Sequence, residues 1–211
     1  MNRLPRTIFF ARVPAPARFS LPIVALALAL TLPLMLAACS PSFNWREVRP
    51  ANTRLSLLLP CKPDKAQKMV PLGGQPTALN MLGCDAGGAT FAVAVADLGD
   101  RGDASQVASV LAVWQNLTLA NMKAPLPGAP SAAPSIPPSQ PTQKLALKLP
   151  GADLQPPAVL LKASGLRADG TRVMGHAAYF SQGAQVFQVV LYADTLSPEV
   201  SETFFSSLKF E

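Results

Sequence analysis

The chain has 211 residues, with 18 basic and 12 acidic side chains and a formal charge of +6. Four arginines, Arg3, Arg6, Arg12 and Arg18, and no acidic residue precede Cys39, and setting these arginines aside leaves 14 basic against 12 acidic residues. The basic excess therefore belongs to the leader, and the rest of the chain has no charge signature of a nucleic-acid binder. No nucleic-acid partner is expected.

The leader continues into Leu21–Leu36, which is almost entirely Leu, Ala, Val, Ile and Pro. Sixteen residues suit the apolar part of a signal peptide and fall short of the ~20 that span a bilayer. Pro22 and Pro33 also oppose one long helix. The run ends in Leu36-Ala37-Ala38-Cys39. Small residues at 37 and 38 suit a signal peptidase, and the four residues resemble the lipobox of bacterial lipoproteins. That resemblance implies a signal peptide over residues 1–38 and lipidation of Cys39. Several buried acyl chains, each CH₂ contributing ~0.8 kcal/mol, make such an anchor stable. The residue after Cys39 is Ser40 rather than Asp, which in that family implies transfer to the outer membrane, facing the periplasm. The expected membrane contact is thus a lipid anchor at Cys39, with an envelope protein as a further candidate partner.

Three cysteines are an odd number for an exported protein. Assigning Cys39 to lipid leaves Cys61 and Cys84, and an oxidising periplasm favours a disulfide between them. Two buried free thiols are the alternative. A zinc site is not expected, because two cysteines and one histidine, His176, do not complete four ligands. No cofactor or metal is expected.

Residues 39–53 read as a short polar tether. Trp45 within it is expected to pack onto the domain, with contact to lipid headgroups as the alternative. The domain is expected over residues 54–211. Leu55, Leu57 and Leu59 alternate with Arg54, Ser56 and Leu58, which predicts a strand ended by Pro60. Lys65–Leu72 is a weaker strand, followed by the turn signal Pro71-Leu72-Gly73-Gly74. Thr77–Cys84 predicts a strand with Leu79 and Met81 on one face and Leu82 and Cys84 on the other. After the turn Asp85–Gly88, Phe91, Val93 and Val95 alternate with Ala92, Ala94 and Ala96. A face of alanines admits a closely packed helix.

That helix is expected next. Asp103 can cap it with Gln106 three residues on, and Val107, Val110, Leu111, Trp114 and Leu117 form an apolar stripe. A proline-rich insertion follows at 124–143, expected as an extended, solvated loop and the most accessible candidate partner surface. Lys144–Leu149 again alternates. Val159–Leu166, Thr171–Ser181 and Gln185–Ala193 predict three strands joined by turns at Ala168-Asp169-Gly170 and Gln182-Gly183, hence an antiparallel meander. The last helix starts with Ser197 as cap, Pro198 and Glu199, and its expected buried face is Val200, Phe204 and Leu208.

These elements predict a single α+β domain, an antiparallel β-sheet whose apolar face is covered by two amphipathic helices as a sandwich. Leu57-Leu58-Leu59-Pro60-Cys61-Lys62-Pro63, the strand Phe91–Ala96 before a long helix, and the ending Phe204-Phe205-Ser206-Ser207-Leu208-Lys209-Phe210 resemble the PsbP/DcrB-like family of small periplasmic and lipoprotein domains. Its members are mostly non-catalytic or of unknown role, so the resemblance implies no catalytic residues.

Motifs for catalysis are missing from the sequence. A Ser-His-Asp arrangement has only His176 as base, and that residue reads as a partly exposed strand histidine. Gly73-Gly74 and Gly87-Gly88 read as turn glycines rather than phosphate cradles. Asp97, Asp100 and Asp103 read as a solvated loop and a helix cap rather than a calcium loop. The expectation is a non-enzymatic binding or accessory module of the cell envelope. A lipid or small-molecule carrier is the alternative, and a small hydrolase ranks behind both.

Overall fold

A computed structural model describes residues 42–128, 141–152 and 154–211. The leader with Cys39, and residues 129–140 of the proline-rich insertion, lie outside the described residues. The described strands are β1 (Arg46–Val48), β2 (Leu55–Leu59), β3 (Asp64–Leu72), β4 (Gln75–Ala86), β5 (Ala89–Asp97), β6 (Gln143–Ala146), β7 (Val159–Leu166), β8 (Arg172–Gln182), β9 (Gln185–Ala193) and β10 (Lys209–Phe210). The described helices are α1 (Ala104–Asn121) and α2 (Pro198–Ser206). None of them is long and apolar enough to cross a membrane.

Seven strands form one antiparallel sheet in the order β3-β4-β5-β9-β8-β7-β6, and β1-β2-β10 form a second, smaller one. The hairpins follow from their turns. Gly87 and Gly88, with φ of +57° and +75°, join β4 to β5, and a two-residue turn of that kind requires positive φ at both positions. Alternation fixes the register: Phe91, Val93 and Val95 lie opposite Leu191, Val189 and Phe187, while Ala92, Ala94 and Ala96 lie opposite Val190, Gln188 and Val186.

Both faces of the large sheet are therefore apolar, and each has its own cover. On one face Phe91, Val93, Phe180, Phe187 and Leu191 pack with Leu55, Leu57 and Leu59 of β2 and with Phe204 and Phe205 of α2. On the other, Ala94, Ala96, Val186 and Val190 pack with Val107, Val110, Leu111 and Trp114 of α1. The fold is α+β and sandwich-like, but with one helix on each side rather than two helices on a single face. The alanines let α1 approach closely on its side. The bulkier Phe/Val side needs a second sheet as well as α2 to fill it.

Tertiary pairing corrects two further expectations and bears out the expected packing of Trp45 onto the domain. Residues 46–48 are not free tether but a strand on β2, with Val48 opposite Leu57. Trp45 packs inward, its ring 5.9 Å from that of Phe91. Past α2 the chain adds β10 to the other edge of β2, so Leu208 is buried beyond the helix, and Ser201, Phe204 and Phe205 form the helix's own buried face. Cys61 and Cys84 are disulfide-bonded, with Cα atoms 6.0 Å apart, which ties the β2–β3 connection to β4.

Candidate functional site

The single histidine is held, not displayed. His176 on β8 places Nδ1 2.7 Å from Oγ of Ser201 on α2, and its ring tilts against Phe205. Burial, with Lys162 as a lesser cause, pushes its pKa down to about 4, so the imidazole is neutral at pH 7. Ser201 is only 6% exposed, and no acidic side chain hydrogen-bonds the ring among the described residues. A nucleophilic serine needs a base oriented by a third group and a site open to substrate. This pair instead joins the sheet to α2.

The aspartates after β5 are likewise occupied by local structure. Asp97 accepts from the Gly99 amide at 2.8 Å. Asp103 caps α1, accepting from the amides of Gln106 and Ser105 and from the Ser105 hydroxyl. These bonds, that to the Gln106 amide foremost, hold its carboxyl below the usual range. Among the described residues no group of three His, Cys, Asp or Glu is placed to hold a metal ion.

The feature that sequence reasoning missed lies beside α1. The helix packs on the alanine face, and two glycines seat its end. At Gly165 and Gly175 a Cβ would collide with Met122, whose carbonyl accepts from the Leu166 amide at 2.6 Å. A buried network then fixes the C-terminal half of the helix. The Tyr179 hydroxyl donates to Thr118 Oγ1 at 2.6 Å, Gln188 Nε2 donates to the same oxygen at 2.8 Å, and Thr118 donates to the Trp114 carbonyl at 3.0 Å. Thr118 thus uses its one donor and both lone pairs. Burial pushes the Tyr179 phenol up to about 12, against the opposing pull of these bonds.

Held this way, α1 forms one wall of a groove of about 330 Å³. Val70, Pro71 and Leu72 of β3 form the other wall, Leu79, Gln188 and Tyr192 form the floor, and Trp114, Leu117, Thr118 and Asn121 line the helix side. No lining residue is charged. The rim is apolar and open to water: Leu117 is 46% exposed and Val113, one turn before it, 42%. Leu117 is thus not part of the core stripe, and Thr118 is buried in its stead. The Tyr192 hydroxyl and the Gln188 amide oxygen make no hydrogen bond among the described residues. Burial, with Tyr179 adding to it, pushes the Tyr192 phenol pKa above its ordinary value, so the hydroxyl is a neutral donor. An apolar cleft with a few open polar groups is the usual form of a ligand or partner site.

Other clefts are less suited. One of about 320 Å³ at the start of α1 has Asp103 as its charged group, already engaged in capping. Another, of about 480 Å³, lies beside Phe43, Trp45, Gly87 and the start of α2.

No family model matches the chain, and no curated protein matches it. Among solved structures it is similar to the crystal structure of PA94, a protein of unknown function from Pseudomonas aeruginosa. That match has 16% identity and a TM-score of 0.31, covering 74% of this chain and 85% of the other. A likeness at that level assigns neither a family nor a role.

Proposed function

We propose that the protein is a lipid-anchored module of the bacterial cell envelope, carried on Cys39 at the periplasmic face of the outer membrane, that works by binding rather than by catalysis. Its binding site in this reading is the groove between α1 and β3. The observation that carries the site is an uncharged cleft with exposed Val113 and Leu117 at its rim and, on its floor, two polar groups without a protein partner among the described residues, the Tyr192 hydroxyl and the Gln188 amide oxygen. The engagement of His176 by Ser201 supports a non-catalytic role. The anchor rests on the lipobox-like Leu36-Ala37-Ala38-Cys39, and the resemblance of the domain to PsbP/DcrB-like proteins agrees with a binding module.

An envelope protein is the first occupant proposed, because Val113 and Leu117 expose apolar surface at the rim, beyond what a small ligand seated on the floor covers. A carrier of a small uncharged or amphiphilic molecule is the second reading, favoured by the groove's uncharged lining. One experiment separates them: a photo-crosslinking residue at Leu117, compared with one at Glu202 on α2, across the sheet, in intact cells. A saturable protein adduct from position 117 alone, weakened by Tyr192→Phe, supports the first reading, and an adduct of lipid size supports the second. Equal, unsaturable labelling at both positions excludes the groove.

A further inference from the structure

We infer that the domain faces the bilayer with one defined end, the end that carries the β4–β5 turn and the start of α2. The inference rests on the proposed anchor at Cys39. Phe43 fastens the chain to the domain only four residues after that cysteine. Its ring lies directly over Gly87, in the space a side chain there would take. It stacks on Trp45 at 5.8 Å and meets Phe91 edge-on at 6.3 Å. The next amide, of Asn44, donates to the Pro60 carbonyl at 2.7 Å. Four residue steps span at most ~14 Å of extended chain, so the anchored cysteine stays within that distance of Phe43.

The sheet register shows what else shares that end. Ala89 pairs with Ala193, and Ala193 with Met174, so the turns 86–89, 167–171 and 194–197 lie together. Asp97 ends the same strand eight residue steps from Ala89, which at ~3.3 Å per residue is about 26 Å away. The chemistry this end meets is therefore a lipid headgroup layer, and the groove rises from it, its Tyr192 end lowest.

The test uses the full chain, lipidated in a bacterial host and reconstituted into phosphatidylethanolamine–phosphatidylglycerol vesicles with an acceptor dye on the headgroups. With Cys39 acylated and Cys61–Cys84 bonded, one added cysteine is the only free thiol for a donor dye. Thr195→Cys marks the near end and Gln75→Cys the far end; Glu199→Cys repeats the near measurement on α2. Energy transfer from positions 195 and 199 several-fold above that from 75 is the expected result. Equal or reversed transfer from vesicle-bound protein overturns the orientation while leaving the anchor standing. Wild-type protein that fails to float with the vesicles overturns the anchor, and the orientation with it.

Discussion

The ring of Phe43 occupies the space that a side chain on residue 87 would need, and Gly87 has a φ of +57°. The glycine therefore serves the turn and the packing together. Gly88 beside it also has positive φ, but open space around it. Gly88→Ala should cost only the left-handed strain of roughly 1–2 kcal/mol. Gly87→Ala should cost that and also displace Phe43, about 2–3 kcal/mol altogether. Urea unfolding of both variants measures the gap. Equal losses would mean that Phe43 does not clamp the chain to the domain.

The disulfide joins residues 23 apart, and the chain-entropy model gives such a loop roughly 3–3.5 kcal/mol. The double substitution Cys61→Ser, Cys84→Ser should lower unfolding free energy by about that amount. Titration of denatured, unreduced protein should find neither thiol reactive. Two reactive thiols would refute the bridge.

His176 sets a pH dependence whose sign is fixed. Its folded pKa, about 4, lies below the unfolded value of about 6.5. Between those two values the unfolded chain binds more protons, so stability falls as pH falls. The loss attributable to this residue is on the order of 2 kcal/mol, allowing for partial solvent exposure. Denaturation at pH 7.5 and pH 4.5 should show a smaller acid loss in His176→Gln than in the unaltered protein. Parallel curves would assign the acid sensitivity to the carboxylates instead.

Thr118→Val removes the oxygen that both Tyr179 and Gln188 reach. Leaving the buried Tyr179 hydroxyl with only Gln188 should cost about 1–3 kcal/mol. Leu117→Asp, one residue earlier but on the exposed rim, should change stability by roughly 0.5 kcal/mol or less and abolish crosslinking from a probe placed at Val113 instead. A large stability loss in the Leu117 variant would place that side chain in the core after all.

Much of the fold was legible because its signals are local. The strands of the β7–β9 meander and the Ser197-Pro198 start of α2 follow from turn and capping residues. The opposed faces of β4 follow from alternation alone. Leu79 and Met81 go to the α1 side and Leu82 and Cys84 to the other. β1 and β10 were not legible, since three- and two-residue strands have no period of their own and exist only by pairing with β2. The groove was hidden for a related reason. Val70, Thr118, Gln188 and Tyr192 come from three separate elements and meet only once α1 is seated on Gly165 and Gly175. The spacing of Leu117 fits the apolar stripe, yet the packed helix leaves it 46% exposed and buries Thr118 in its stead.

The most direct test of the anchored-module account is the mass of the mature N-terminal peptide from membrane-extracted protein. The expected peptide begins at Cys39 and carries added acyl mass, and Cys39→Ala should abolish both the cleavage and the membrane association. An unmodified N-terminus at any other residue, or a Cys39→Ala protein that is still cleaved at the same bond and still held in the membrane, would contradict the account.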